Sequence, residues 1–458
     1  MAIATINPAT GELVKEFDPH TDAEVEARIA ATHAAFLALK QTDFATRAAW
    51  MRRAAEILEE EVEEAARLLV LEMGKTIAQA RAEVIKCAKG VRFYADHAEE
   101  FLASSTLDDP ARVGARSAES RYQPLGVVLA VMPWNYPLWQ VIRFAAPALM
   151  AGNTGLLKHA SNVPQAALYL DTLFERAGFP VGSFHSLLIP AAGVERVLRD
   201  RRVVAVTLTG SEPAGRSVAG IAGSEVKHVV LELGGSDPFI VMPSADLDAA
   251  VSAAVASRTG NNGQACINAK RIIVHGDVYE AFLERFTAAM AALRMGDPFD
   301  EGTELGPLAT AGGRDDLDEL VQDAIAKGAQ ATTGGAPHDG PGWYYPATVL
   351  TGITREMRLY AEEAFGPAAA VYLVADREEA LALANDTTFG LSSAVWTADA
   401  EEEEFFVRGI DAGAVFVNGI SISYPELPFG GVKDSGVGRE LSAEGIREFC
   451  NLKSVWRA

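Results

Sequence analysis

RYQPLGVVLAVMPWNYPLWQVIRFAAPALMAGNTGLLKHAS, residues 121–161, is the stretch on which the fold turns. Gly126–Met132 is a short apolar run rich in valine, and such a run reads as a buried strand. Gln140–Met150 then follows a helical pattern, and Thr154–Lys158 is again strand-like. The alternation continues downstream, with Pro164–Ala177 helical, Val203–Thr209 a strand, Pro213–Ala222 helical and Val229–Leu233 a strand. Strands alternating with helices predict an α/β fold with a parallel sheet, whose ligands gather at the C-terminal ends of the strands.

Outward from this core the chain divides. Upstream, residues 21–105 read as helical. Thr21 and Glu24 have capping-box spacing and open a helix to about Lys40. Met51, Ala54, Leu58, Val62 and Leu69 mark one face of a single long amphipathic helix, and a third helix carrying Cys87 runs from about Ile77 to Leu102. Downstream of Gly235 a second α/β series begins. Phe239–Val241, Arg271–His275 and Tyr345–Leu350 are its strands; Ala249–Arg258, Val278–Leu293 and Arg314–Lys327 are its helices. Two such series in 458 residues predict two domains with a cleft between them. Arg112–Tyr122 and the tail after Arg439 fit neither series and read as bridging arms.

Composition narrows the function. Apolar residues make up 49% and charged residues 22%, which suits a packed globular chain. A net charge of −22 without a dense Lys/Arg cluster argues against nucleic acid and anionic membrane as partners. Cys87, Cys266 and Cys450 lie far apart with no CxxC, which disfavours disulfides and zinc and suits a reducing cytosol. The N-terminus lacks signal-peptide character and no apolar run approaches a membrane span, so a cytoplasmic location is expected.

Five segments carry candidate chemistry. In Asn261–Cys266 (NNGQAC) a thiol follows a polar, glycine-bearing turn and precedes the basic segment Asn268–Arg271, a setting for a nucleophile or for a small core residue. Glu232, between leucines before Gly234 and Gly235, is either a partly desolvated general base or half of a buried pair with Lys227 or His228. Asn135, at the end of the Gly126–Met132 strand, offers a neutral donor to an oxyanion but is also an ordinary turn residue. Thr207–Gly215 reads as strand, turn and helix, with Gly210 open to a phosphate and Ser211 able to cap; it is not a GxGxxG fingerprint. Pro428–Glu440 is dense in glycine, which reads as close packing.

Together these segments resemble the aldehyde dehydrogenase superfamily. The resemblance runs in order from Asn7-Pro8-Ala9-Thr10-Gly11 through Glu72-Met73-Gly74-Lys75, Pro133-Trp134-Asn135, Thr209–Gly215, Glu232–Gly235, Gly263–Cys266, Glu363–Pro367 and Pro428–Gly431 to Glu448-Phe449. It implies a Rossmann-type dinucleotide domain (1–111 and 123–234), an α/β catalytic domain (235–418) and a small oligomerisation element (112–122 and 440–458), assembling as a homodimer or homotetramer. It also implies that Cys266 is the nucleophile, Glu232 the general base, and Asn135 with the Cys266 backbone N–H the oxyanion hole. Trp134, Lys158, Ser161, Gly210, Ser211, Gly215, Leu233, Glu363 and Phe365 are then cofactor-binding, and no metal is expected.

Many NAD-preferring relatives carry glutamate where Ser161 stands, so its absence predicts NADP as the preferred cofactor, with NAD possible. Arg143, eight residues after Asn135, and Ser423 are similar to residues that hold the substrate's distal carboxylate in the succinate-semialdehyde branch, and the rival role for Arg143 is a salt bridge to an acidic neighbour. Several members of that branch have a further arginine where this chain has Gly260. The expected reaction is therefore oxidation of succinate semialdehyde to succinate; the alternative is a broad-specificity aliphatic or aromatic aldehyde dehydrogenase.

Overall fold

The computed structural model describes residues 2–458. A six-stranded sheet runs in the spatial order Gly436–Val437, His228–Glu232, Val203–Thr209, Val127–Met132, Thr154–His159 and Phe184–Ser186. All pairings are parallel except that of the edge strand Gly436–Val437. The chain builds one side of the sheet from Val127–Met132 through Phe184–Ser186, then crosses back to place Val203–Thr209 on the other side. That reversal is a topological switch point, where the loops leaving two neighbouring parallel strands diverge and leave a crevice. The loops at this crevice are Pro133-Trp134-Asn135 and Gly210-Ser211.

The helix Trp139–Ala151 packs behind this edge and is buried along its whole length. Ahead of it, Thr21 and Glu24 form the expected capping box: the Thr21 N–H donates to the Glu24 carboxylate at 2.7 Å, and Glu24 N–H donates back to Thr21 Oγ1 at 3.3 Å. The single long helix expected next is instead two helices, Phe44–Glu60 and Val62–Met73. The break falls at Glu61, whose backbone leaves helical geometry while its carboxylate is held by Arg176 at 2.7 Å. Apolar periodicity carries through such a corner, so sequence alone merges the two.

The second series forms a seven-stranded sheet in the order Gln330–Thr333, Thr348–Thr351, Ala368–Val374, Ala269–His275, Asp237–Val241, Ala394–Trp396 and Phe416–Val417, parallel but for the first pair. The inner strands Ala368–Val374 and Ala394–Trp396 lie in segments that sequence left unassigned. The first opens on three alanines, which lack the β-branched signature of the other strands, and the second is only three residues long.

The two segments read as arms meet each other. Cys450–Arg457 pairs antiparallel with Ser117–Pro124 over its whole length, and Ser105–Thr106 completes the three-stranded sheet. Among the described residues no helix is long and apolar enough to cross a membrane.

Candidate active site

Cys266 is placed by an unusual turn. After the helix Leu247–Thr259, Asn261, Asn262 and Gly263 have φ of 57°, 57° and 76°, three consecutive left-handed residues. Asparagine tolerates that region better than other side chains, and here both asparagine amides are also tied down. Asn262 Nδ2 donates to the carbonyls of Gly74 (2.8 Å) and Pro307 (2.9 Å), and Asn261 Nδ2 to those of Asn135 (2.8 Å) and Gln264 (3.0 Å). A Cβ on Gly263 would run into the Gly366–Pro367 backbone. The turn carries the half-buried Cys266 to the switch-point edge of the first sheet. Burial pushes its thiol up to about 12, against the downward pull of Lys270 and Arg143.

Asn135 faces the same spot. Its Nδ2 donates to Gln264 O at 3.0 Å, two residues before the thiol, and its own carbonyl is held by Lys75 Nζ at 3.0 Å. Lys75 is buried and paired with Glu83, whose other oxygen accepts the backbone N–H groups of Leu138 (2.9 Å) and Trp139 (3.0 Å). This buried pair, invisible to sequence reading, pins the Trp134–Trp139 turn at both ends. Among the described residues the Cys266 backbone N–H donates to no acceptor, leaving it and the second Asn135 amide hydrogen as two donors near one sulfur.

Eight of the expected site residues (Trp134, Asn135, Gly210, Ser211, Leu233, Cys266, Glu363 and Phe365) line a single cleft of about 290 Å³. Trp134 and Phe365 meet edge to face across it at 5.6 Å. Ser211 is the N-cap of the helix Glu212–Ser224 but makes no side-chain cap bond, so the first N–H groups of that helix stay available to an anion. Gly215 lies within this helix where a Cβ would come within 2.6 Å of the Leu233 side chain, so glycine lets helix and strand end approach.

Lys158 and Ser161 close the neighbouring strand Thr154–His159, outside the cleft that holds the thiol. Lys158 is buried and has no carboxylate partner among the described residues, and desolvation lowers its pKa. A long ligand with an anion midway and a second charge at one end fits this layout. Glu363 is bridged to Lys270 at 2.5 Å, and Lys270 also donates to the carbonyls of Gly235 (2.6 Å) and Cys266 (2.7 Å).

Glu232 ends its strand behind the cleft, 2% exposed, with neither carboxylate oxygen hydrogen-bonded among the described residues. It pairs with neither Lys227, which donates to Leu198 O and Asp200 O, nor His228, which meets Glu448 at 2.8 Å. Burial, then the nearby Glu440, raises its pKa well above the carboxylate range. The glycine-dense loop packs directly over it: a Cβ on Gly430 would come within 2.8 Å of Glu232 Oε1.

Arg143 has a carboxylate partner. Its Nε lies against the Glu440 carboxylate, its guanidinium stacks on Phe429 at 4.6 Å, and NH2 reaches Thr209 Oγ1 at 3.4 Å. The helix that carries it is buried on every face, and a buried cation takes the nearest carboxylate. The salt bridge to an acidic neighbour, one of the two roles read from sequence, is present.

Ser423 is buried. Its Oγ accepts from Trp139 Nε1 at 2.8 Å and from Lys86 Nζ at 2.9 Å. Lys86 is a buried-groove cation that sequence reasoning did not single out, whereas Lys270 lies in the basic segment noted after Cys266. Lys86 sits on a charged face of the helix Ile77–Phe101, where nothing local distinguishes it from a solvated lysine. Cys87 and Cys450 line neither the cleft nor the groove beside it, and burial raises both thiols.

Residues 1–455 match the model of the aldehyde dehydrogenase family. An NADP(+) succinate-semialdehyde dehydrogenase of Mycolicibacterium paratuberculosis is 61% identical over 457 residues, covering 100% of this chain and 97% of that protein. An NADP(+) succinate-semialdehyde dehydrogenase of Mycobacterium tuberculosis is 61% identical over 458 residues, covering 100% of both. Among solved structures, the succinic semialdehyde dehydrogenase of Streptococcus pyogenes in complex with NADP+ superposes with a TM-score of 0.96 at 37% identity over 99% of each chain. The succinate-semialdehyde dehydrogenase of Burkholderia pseudomallei gives 0.95 at 35% identity, over 99% of this chain and 94% of that one.

Proposed function

The chain belongs to the aldehyde dehydrogenase family, and on that premise we infer that it is an NADP-dependent dehydrogenase that oxidises succinate semialdehyde to succinate. The observation that carries the chemistry is the meeting of Cys266, the Asn135 amide and the open helix N-terminus at Ser211 around one cleft. Cys266, as thiolate, forms a bond to the aldehyde carbon. The resulting alkoxide is held by Asn135 Nδ2 and the Cys266 N–H, donors of a kind that typically contribute ~3–4 kcal/mol each to the transition state. A bound nicotinamide coenzyme supplies the two-electron acceptor that turns the adduct into a thioester. Glu232 takes a proton from water, the hydroxyl adds to the acyl carbon, and the C–S bond breaks to release the acid and restore the thiolate.

Cofactor choice rests on Lys158 and Ser161. A 2′-phosphate meets a buried, unpaired cation and a neutral hydroxyl there, with no carboxylate to repel it. Ser161→Glu should therefore lower kcat/KM for NADP by about 30-fold while NAD turnover holds or rises, because like charges at this range cost on the order of 2 kcal/mol. An unchanged coenzyme ratio in steady-state assays would remove Ser161 from the account.

A second reading, a broad-specificity aldehyde dehydrogenase, is favoured by one feature. The groove on the far side of the thiol is lined by Ile267, Ile420 and Ile422, and it has Gly260 where a cation could stand. The deciding experiment is NADPH formation by the parent enzyme with succinate semialdehyde and with butanal. Higher kcat/KM for the semialdehyde supports the first reading, and equal values support the second. We infer a cytoplasmic homodimer or homotetramer, assembled through the free edge of Cys450–Arg457, where Leu452 and Trp456 are exposed; light scattering reads this assembly directly.

A further inference from the structure

One ammonium joins the thiol segment to the loop that lines the coenzyme cleft. We propose that Lys270 is a positioning residue that holds Cys266, the strand end beyond Glu232 and the Glu363 carboxylate in one register, so that the thiol and the coenzyme-binding carboxylate keep the spacing that hydride transfer needs. This inference rests on Cys266 being the nucleophile and Glu363 a coenzyme ligand.

Lys270 is the second residue of the strand Ala269–His275 and is 2% exposed. An ammonium carries three hydrogens and accepts nothing. Here all three have acceptors, each from a different segment: Gly235 O at 2.6 Å, Cys266 O at 2.7 Å and Glu363 Oε1 at 2.5 Å. The first lies just beyond the strand that ends at Glu232, and the second belongs to the nucleophile. The third lines the coenzyme cleft with Phe365, whose ring centre is 5.8 Å from the same nitrogen. The reacting groups therefore share one tripod, and a shift in any leg displaces the other two.

Two glycines let these acceptors converge. A Cβ on Gly235 would come within 2.6 Å of Cys266 O, and one on Gly234 within 2.7 Å of Glu363 Oε2. The cation also balances a crowd of acids. Burial and then Glu363 raise the Glu212 carboxyl, while burial raises Asp237 to about 7 with Lys270 the first influence against it. Among the described residues Lys270 is the only cation in salt-bridge range of Glu212, Asp237 or Glu363.

Loss of the tripod misaligns the site without releasing it. Arg258, fully buried, ties the same two segments independently: its Nη2 donates to Gly263 O at 2.5 Å and to Gly366 O at 2.6 Å. With that tie intact the turn and the loop stay together when Lys270 is replaced, while the Glu363 carboxylate and the Cys266 carbonyl lose their anchor. Charge alone is the rival explanation, because burial raises the Cys266 thiol and Lys270 is first among the groups that pull it down. Lys270→Arg separates the two. It keeps the charge, but a planar guanidinium cannot direct hydrogens to three acceptors spread around one point.

The test is coenzyme binding and single-turnover NADPH formation by the full-length enzyme in the parent, Lys270→Met, Lys270→Arg, Glu363→Gln and the double variant Lys270→Met with Glu363→Gln. Lys270→Met should weaken NADP binding, read by quenching of intrinsic fluorescence, by about 10-fold, the scale of a lost hydrogen bond to a charged group. Its single-turnover rate with succinate semialdehyde at saturating NADP should fall by about 100-fold, the scale of an ångström's misplacement, with the aldehyde KM within about threefold of the parent. Lys270→Arg should regain less than about threefold of that rate. In the double variant NADP binding should stay within about threefold of Glu363→Gln alone, because Lys270 acts on the coenzyme through that carboxylate. A parent-like rate in Lys270→Arg would assign the effect to charge and overturn the tripod. Full additivity of Lys270→Met and Glu363→Gln in NADP affinity, or parent-like values in Lys270→Met, would overturn it too. Should Lys270→Met not fold, Lys270→Arg decides alone: a slow single turnover with parent-like circular dichroism supports the tripod, and a parent-like rate removes it. Unchanged NADP binding in Glu363→Gln defeats the reading of Glu363 as a coenzyme ligand, and this inference with it. Weakened binding in Glu363→Gln beside parent-like Lys270 variants defeats this inference alone.

Discussion

Cys266→Ala should reduce NADPH formation from succinate semialdehyde by about 10,000-fold or more, a loss of ~5.5 kcal/mol of transition-state stabilisation. Without sulfur the aldehyde carbon has no nucleophile within the cleft, and the oxyanion donors at Asn135 and the residue 266 N–H have no tetrahedral adduct to hold. The fold should survive. The thiol makes no side-chain hydrogen bond among the described residues and is half-buried, so truncation removes one sulfur from a partly open site and costs about 1 kcal/mol. Coenzyme binding, followed by quenching of intrinsic fluorescence, should remain near the parent value because Gly210, Ser211 and Lys158 are untouched. Residual turnover within tenfold of the parent would sink the covalent mechanism. Cys266→Ser is the stricter companion, since its hydroxyl fills the space but ionises far less readily than a thiol.

Glu232→Gln should show a different signature. Thioester formation proceeds, so one equivalent of NADPH per active site appears in a rapid burst; steady turnover then falls by about 100- to 10,000-fold because water is no longer deprotonated. Intact-protein mass spectrometry should trap the acyl group on Cys266. A loss of burst and steady state together would assign Glu232 to the first half-reaction instead. The pH dependence follows from the raised pKa: below it Glu232 holds its proton and cannot act as base, so steady turnover in the parent should climb with pH, and the climb should flatten in Glu232→Gln.

Stability runs the opposite way with pH. A carboxyl whose folded pKa is raised above its unfolded value of about 4 is neutral at no penalty below that value. Above it, ionisation favours the unfolded chain until the folded pKa is reached. Glu232→Gln removes this pull, so at neutral and alkaline pH its Tm should equal or exceed that of the parent, consistent with a functional residue held at the expense of stability.

Much of this site was legible because its signals are local. Asn261-Asn262-Gly263 declares a turn by residue type, and the turn found there is left-handed at all three positions. Gly210-Ser211 sits between a valine-rich strand and a helix with proline in its first turn, and its geometry matches. The corner at Glu61 escaped notice because apolar spacing continues across it, and Ala368–Val374 because alanine declares neither strand nor helix strongly. The partner of Arg143 was out of reach for another reason. The position of Arg143 along the chain is similar to that of a substrate ligand in relatives, but the Glu440 that claims it lies 297 residues away, a separation that local spacing cannot bridge.

The amino-acid order by itself determined the alternation of strands and helices, the sheet edge at which the loops collect, and the kinds of groups delivered there: a thiol, an amide, a carboxyl and open glycine turns. Those depend on backbone preferences over a few residues. Only the tertiary structure decided which cation meets which anion: Lys75 with Glu83, Lys270 with Glu363, Arg143 with Glu440, and Lys86 with no carboxylate among the described residues. Coulomb attraction and loss of hydration act through space, and their balance is set by burial and distance across elements far apart in the chain.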